Sequence, residues 1–340
     1  MSGKARPLHV HVENRREQSI VYHVTRERFD DALGRHGDIA DGIEASIGFD
    51  LESFDDEIAS TDVLVLPVPV PADWRPRLYA LAETAPRLRF VFQTGAGTER
   101  LFPLDWLPPG VPMTNNSGAH AEKAREYVTM AILMLNNRIP ALATAKNERR
   151  WDEVFSAAVR GKTALVVGVG HMGGAAAEAA KRLGLRVLGV RASGEPHPQV
   201  DEMVTPDRLA EVLPRADFVI ATTPLTEASR GLIGARELDL LKPTAGLVNM
   251  GRAPVVDYDA LAARLADSRL AGAVLDVFEP EPLPPDSALW ETPNLVITPH
   301  TSSDDDALYI ANTLDVLFDN LGRHLAGGQL INHVDPERGY

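Results

Sequence analysis

The sequence predicts an α/β protein of two domains, each organised around a parallel β-sheet. Three observations carry that prediction. The chain has 340 residues, too many for one ordinary core. Short apolar runs alternate with helical patterns along its length, the signature of βαβ units. One apolar run, Leu165-Val166-Val167, feeds directly into Gly168-Val169-Gly170-His171-Met172-Gly173, ahead of an alanine-rich helical stretch.

In chain order, residues 8–12 read as the first strand and 26–35 as the first helix. Residues 62–66 and 88–92 are further apolar strands, with a helix over 78–85 between them. Two strand ends run into loops, Pro67-Val68-Pro69-Val70-Pro71 and Thr94-Gly95-Ala96-Gly97. Ligands collect outside the carboxyl ends of strands in open parallel sheets, although each loop by itself is also explained as a turn. The stretch 106–112 is rich in proline, and Asn115-Asn116-Ser117-Gly118 is a turn or a helix start. A long helical pattern over 120–138 then reads as a connector between domains. From Thr163 a second βα series begins, with strands at 164–167, 186–190, 218–221, 246–249, 273–277 and 295–297. Its helices fall near 175–184, 206–213, 235–240 and 257–267, and a last helix over 305–321 leads to the C-terminus. There are no repeats or low-complexity tracts.

Composition narrows the function. The chain is 44% hydrophobic and 24% charged, as expected of a globular protein in water. A formal charge of −14 argues against nucleic acid or an anionic membrane as its main partner. With no cysteine, disulfides, thiol nucleophiles and Cys-based metal sites are excluded, and no metal is expected. The first twenty residues lack an apolar signal core, and the apolar stretch 127–135 is too short for a bilayer, so a cytoplasmic protein is expected.

The glycine motif has the parts a dinucleotide site needs. A strand delivers the chain, Gly168, Gly170 and Gly173 let the backbone turn close to a pyrophosphate, and a helix start offers free N–H groups. His171 and Met172 then fall beside the phosphates. In such folds the second strand ends in an acidic residue about 20 positions on, which takes the ribose 2′-hydroxyl. Here the strand ends in Val190-Arg191-Ala192-Ser193. Arg191 can pair with a 2′-phosphate and Ser193 can hydrogen-bond it, so NADP is the expected cofactor and NAD the alternative. A solvated arginine stacking on adenine would make no such distinction.

Later segments put further polar groups just past strands: Asn249-Met250-Gly251-Arg252, then Asp276-Val277-Phe278-Glu279-Pro280-Glu281-Pro282-Leu283, then Thr298-Pro299-His300. Each alone has an ordinary surface explanation. Together they give an anion clamp, a carboxylate and a histidine at one sheet edge, a set suited to hydride transfer with a 2-oxo acid. At these residues the chain resembles the D-isomer-specific 2-hydroxyacid dehydrogenases. The matching pieces are GVGHMGG, DFVIATTPLTEASRGLI, VNMGRAPVVDYDAL, LDVFEPEPLP and LWETPNLVITPH, in family order over about residues 88 to 303.

The resemblance implies Rossmann-like and flavodoxin-like domains, with a coenzyme domain (residues 116–302) inserted into a substrate domain (residues 1–115 and 303–340) and the active site in the cleft between them. It implies Arg252, Glu281 and His300 as the catalytic set, Glu281 rather than Glu279 because the family acid directly precedes Pro-Leu. It also implies that the Ala96 and Gly97 N–H groups hold the substrate carboxylate. Thr223 and Pro224 would line the nucleotide, Met250 would sit by the nicotinamide, and Asp276 would meet its carboxamide. The expected reaction is reversible reduction of a small 2-oxo acid, of the glyoxylate or hydroxypyruvate type, by a homodimer. Residues 120–138 and the Trp151 region would form the dimer contact.

The chain departs from the family at Met250-Gly251, where many members have small residues such as Ala before the arginine, at His171 within the glycine motif, and at Thr301-Ser302-Ser303 after the histidine. An alternative from another class is a dinucleotide-sensing binding protein resembling the family's corepressors. A formate-dehydrogenase-like reading fits poorly, because that branch has glutamine where Glu281 stands. Phe102, Trp106 and Trp290 are read as core or contact residues before pocket residues.

Overall fold

The computed structural model describes residues 6–336, which fall into two compact units. One unit comprises the chain up to residue 120 together with the chain from 305, and the other spans residues 121–304.

In the first unit, valines alternate along β1 (Leu8–Asn14), sending Val10 and Val12 into one core and His9, His11 and Glu13 to the opposite face. The chain continues through α1 (Arg26–Arg35), β2 (Ile43–Phe49), α2 (Phe54–Glu57), β3 (Val63–Leu66), α3 (Arg75–Tyr79), α4 (Leu81–Thr84), β4 (Phe90–Gln93) and β5 (Met113–Asn115). All strand pairs are parallel, in the order β2-β1-β3-β4-β5, the flavodoxin-like arrangement. β3 is buried at every position, which is why it reads as an unbroken apolar run. On β1 the buried polar pair is satisfied: His11 Nε2 lies 2.9 Å from Glu13 Oε1, and Leu51 N donates to Glu13 Oε2 at 3.1 Å.

The second unit opens with α5 (Ala121–Asn136) and α6 (Ile139–Asn147), then β6 (Thr163–Val167), α7 (His171–Arg182), β7 (Arg186–Val190) and β8 (Glu202–Val204). Next come α8 (Leu209–Val212), β9 (Phe218–Ala221), α9 (Ala235–Asp239), β10 (Gly246–Asn249), α10 (Tyr258–Ala266), β11 (Gly272–Leu275) and β12 (Leu295–Ile297). The parallel seven-stranded order is β12-β11-β10-β9-β6-β7-β8, so the chain reverses direction across the sheet between β6 and β9. This is the Rossmann arrangement with an added strand. Leu165 and Val167 of β6 face one core while Ala164 and Val166 face the other, so helices cover both sides of the sheet. The last helix, α11 (Tyr309–Leu325), packs Leu314, Leu317, Phe318 and Leu321 into the first unit against Phe29 and Val65.

Several elements differ from the sequence reading. The helix expected over 78–85 is two short helices, and 206–213 is a short α-helix flanked by 3₁₀ turns. β2, β5, β8, α2 and α6 are additions that the reading did not contain. Among the described residues no helix is long and apolar enough to cross a membrane.

Candidate active site

The site in the second unit grows from the carboxyl ends of the paired strands β6 and β9, where the strand order reverses and opens a crevice. Gly168 follows β6 with φ +97°, a backbone that side chains rarely adopt. A Cβ there would also lie 2.6 Å from Thr223 Oγ1. A Cβ on Gly173 would come 2.0 Å from the Gly168 carbonyl oxygen, so only glycine lets α7 sit this close to the turn. Thr222 and Thr223, just past β9, fasten that turn: the Thr223 hydroxyl donates to the Val167 carbonyl at 2.8 Å and Thr222 to Gly168 at 2.6 Å. At Gly170, by contrast, a Cβ would meet open space. No side chain caps α7 there, so its first-turn N–H groups lack partners inside the helix. A bare helix start over an all-backbone floor fits the pyrophosphate of a dinucleotide. His171 is exposed at this helix start, Met172 is half-buried, and Ser229 Oγ donates to the Pro224 carbonyl at 2.7 Å, fixing the loop past β9. Gly251 completes the floor, since a Cβ there would lie 2.7 Å from the Thr223 carbonyl oxygen, and Met250 beside it is buried.

Past β7, Arg191 and Ser193 lie in one exposed turn as expected, but with an acid between them. Arg191 Nη2 is 3.8 Å from Glu195 Oε2, and Ser193 Oγ donates to the same oxygen at 3.4 Å. The acidic residue missing from the strand end has an equivalent charge four residues later. An exposed ion pair of this length is worth about 0–1 kcal/mol. A hydrogen bond from a guanidinium to a charged oxygen is worth about 1.5–3 kcal/mol, so Glu195 would weaken a 2′-phosphate contact at this turn without abolishing it.

Arg252, Glu281 and His300 come from the loops after β10, β11 and β12, three adjacent strands. His300 Nδ1 lies 2.8 Å from Glu281 Oε2. The other Glu281 oxygen accepts the Phe278 N–H at 2.8 Å, which fixes the carboxylate plane. The bond to Glu281 raises the His300 pKa above its ordinary value, outweighing burial. Burial works to raise the Glu281 carboxyl, but the bonds from His300 and Phe278 outweigh it and hold the group below the usual range. The positive charge of Arg252 acts on both residues, so the three share one field. With Nδ1 engaged, Nε2 of a half-exposed imidazole is the nitrogen that can meet a substrate.

Residues outside the catalytic set hold these three in place. Asp276 is fully buried, and its carboxylate takes the Thr298 hydroxyl at 2.6 Å and the Thr301 and Ser302 N–H groups at 2.9 and 3.0 Å. Asp276 therefore straps down the loop that carries His300, whose φ of 55° is otherwise unfavourable for a side-chain-bearing residue. Tyr127 on α5 extends the strap through a 2.7 Å bond to Thr298. Asn249 donates to the Arg252 carbonyl at 3.1 Å and to Tyr258 Oη at 2.9 Å, and Tyr258 donates to the Val277 carbonyl at 2.8 Å. That chain ties the Arg252 loop to the Glu281 loop. Of the departures seen in the sequence, Gly251 has a use here, since it permits close packing against Thr223.

Ala96 and Gly97 belong to the first unit, in the loop after β4. Asn115 Nδ2 donates to the Ala96 carbonyl at 3.1 Å, while the Ala96 and Gly97 N–H groups have no hydrogen-bond partner among the described residues. Trp106 is buried and donates to the Leu101 carbonyl at 2.9 Å, while Trp290 is half-exposed and bonded to the Pro284 carbonyl at 2.8 Å. Among the described residues no cluster of His, Asp and Glu is arranged to hold a metal ion.

The chain is similar in sequence and fold to known proteins. Residues 129–302 match the family model described as D-isomer specific 2-hydroxyacid dehydrogenase, NAD binding domain. The chain is 32% identical to glyoxylate/hydroxypyruvate reductase B of Yersinia enterocolitica over 267 residues, covering 76% of this chain and 81% of that protein. A D-isomer specific 2-hydroxyacid dehydrogenase from Xanthobacter autotrophicus Py2, solved with NADPH and MES, superposes with a TM-score of 0.81 at 28% identity, covering 99% of this chain and 100% of the other. An NADPH-dependent glyoxylate/hydroxypyruvate reductase from Sinorhizobium meliloti, solved with NADP and sulfate, gives a TM-score of 0.76 at 25% identity over 97% of this chain and 99% of the other.

Proposed function

Since the chain belongs to the NAD(P)-dependent D-isomer-specific 2-hydroxyacid dehydrogenases, we propose that it reduces a small 2-oxo acid of the glyoxylate or hydroxypyruvate type, preferring NADPH. The observation that carries this reading is the Glu281–His300 pair set in the field of Arg252 at the edge of a glycine-turned sheet. Residues 116–302 hold the coenzyme; residues 1–115 and 303–340 hold the substrate.

Bound reduced nicotinamide supplies the hydride that adds to C2 of the substrate. Arg252 grips the carboxylate and polarises the 2-oxo oxygen with its planar fork, a role a lysine point charge fills poorly. As the carbonyl π electrons move onto that oxygen, His300 delivers the Nε2 proton to it, leaving a neutral imidazole and a 2-hydroxy acid. Glu281 fixes the tautomer and favours the protonated ring, so reduction is supported near neutral pH. The Ala96 and Gly97 N–H groups take the substrate carboxylate from the first unit. Gly168, Gly170 and Gly173, with His171 and Met172, cradle the pyrophosphate. Thr223 and Pro224 line the nucleotide, Met250 borders the nicotinamide, and Asp276 orders the loop beside its carboxamide. Arg191 and Ser193 receive a 2′-phosphate. Two exposed aromatics, Trp151 at 93% and Phe155 at 89% accessible, support a homodimer formed through the second unit.

Steady-state rates for a panel of small 2-oxo acids, with NADPH and NADH in parallel, test the reading. Glyoxylate or hydroxypyruvate should turn over faster with NADPH, and His300→Ala should lower kcat by about 10²-fold or more. Equal or better rates with NADH would remove the cofactor assignment. Tight nucleotide binding with no turnover across the panel would favour a dinucleotide sensor.

A further inference from the structure

The hydroxyl of Tyr258 joins two loops of the second unit, and the direction of each hydrogen bond around it is fixed. Tyr258 opens α10, where Asp257 caps the helix by accepting the Ala260 N–H at 2.9 Å. Its ring meets the buried Phe278 ring edge-on, with centroids 6.2 Å apart. The Gly251 N–H donates to Asn249 Oδ1 at 3.1 Å, which leaves Asn249 Nδ2 as the donor to the Arg252 carbonyl and to Tyr258 Oη. An amide nitrogen cannot accept, so the phenol gives its single proton to the Val277 carbonyl, 2.8 Å away. Burial pushes the Tyr258 hydroxyl well above its ordinary pKa, so that proton stays in place at neutral pH.

The Val277 carbonyl and the Phe278 N–H belong to one planar peptide group. Its N–H end donates to Glu281 Oε1 at 2.8 Å, while the other carboxylate oxygen lies 2.8 Å from His300 Nδ1. Holding the carbonyl end fixes the direction in which the N–H points, because the two lie on opposite sides of a rigid C–N bond. Among the described residues the Val277 carbonyl receives no other hydrogen bond. Without the phenol, this carbonyl of a buried residue has no partner, and the peptide is driven to turn toward one. Turning it takes the Phe278 N–H away from Glu281.

We propose that Tyr258 is a positioning residue for the Glu281–His300 pair, acting through the peptide between Val277 and Phe278. Its hydroxyl aims the Phe278 N–H, the N–H holds the carboxylate plane, and the carboxylate orients and charges the imidazole. The consequence for reduction rests on the reading of His300 as the proton donor, whereas the effect on the ring itself does not. A tyrosine that served only to fill the core would do so through its ring, and phenylalanine would replace it without a change at His300.

The experiment follows the His300 ring by NMR through a pH titration of the coenzyme-free protein, its signals identified by their loss in His300→Ala. Tyr258→Phe keeps the packing on Phe278 and removes the hydroxyl alone. With the carboxylate less firmly aimed at Nδ1, the ratio of protonated to neutral His300 should fall about threefold at a given pH, moving the midpoint lower. In the Glu281→Gln background the partner charge is already gone, so adding Tyr258→Phe should lower the ratio no further. In reduction of a 2-oxo acid, Tyr258→Phe should lower kcat by about tenfold and move the alkaline limb to lower pH, with the NADPH dissociation constant as in the parent. An unchanged or higher His300 midpoint in Tyr258→Phe, or an equal fall with and without Glu281, would overturn the proposal. Absence of turnover by the parent with every acid would overturn the reductase reading instead, and the titration would then decide the role of Tyr258 by itself.

Discussion

His300 depends on residues that do not react. Its ring is oriented by Glu281, its backbone is held in a left-handed conformation, and the loop beneath it is strapped by Asp276, Thr298 and Tyr127. Replacing Glu281 with Gln keeps a hydrogen-bonding group but removes the negative charge. The His300 pKa is raised in the parent, so in the proposed role its proton stays available for reduction until pH climbs through that raised value. Without the charge the pKa falls, and the proton is lost at lower pH. In Glu281→Gln the alkaline limb of the reduction profile should move to lower pH, with about tenfold less activity on the alkaline side. The reverse oxidation, which needs a neutral ring, should retain activity to lower pH. An unchanged profile would show that Glu281 only orients the ring.

At the scale of elements, the turn after β7 concerns cofactor choice. Arg191 and Ser193 share their acid, Glu195, and a bound 2′-phosphate would lie in its field. In water and salt such a repulsion is a fraction of a kcal/mol. Glu195→Gln should therefore tighten NADPH by about threefold while leaving NADH unchanged, read as dissociation constants from nucleotide fluorescence. Equal effects on both nucleotides would place Glu195 away from the phosphate. The strands themselves differ in how legible they are. β7, β9 and β10 are buried on both faces and coincide with the apolar runs at 186–190, 218–221 and 246–249. β2, β5 and β8 are sheet edges, and Glu44, Asn115 and Glu202 dilute their apolar signal. Their pairing partners, distant in sequence, make them strands. The turn at Ala80 likewise breaks one helical pattern into α3 and α4.

For the whole molecule, the segment 151–158 is irregular and exposed over nearly its whole length, although it carries Trp151, Val154 and Phe155. Met130, Leu133 and Ile139 on α5 and α6 are also exposed. Large apolar side chains left in water at this density would be covered in the proposed homodimer. The doubly substituted Trp151→Ser, Phe155→Ser protein should shift toward monomer mass in analytical ultracentrifugation, with its far-ultraviolet circular dichroism retained. A parent that sediments as a monomer would remove the homodimer proposal.

The sequence alone determined the two-domain α/β class, the glycine turn, and the family to which the chain belongs, because buried parallel strands and backbone-hugging glycines restrict residue type locally. Arg252, Glu281 and His300 could be picked out because each lies in a loop past an apolar run and because the resemblance to the family marks those positions. Tertiary structure alone decided what surrounds them. The Asp276 strap, the Asn249–Tyr258 tie and the Glu195 counter-charge join residues through space. Such contacts leave no periodicity in the chain, since a hydrogen bond or a field depends on distance after folding and not on separation along the sequence.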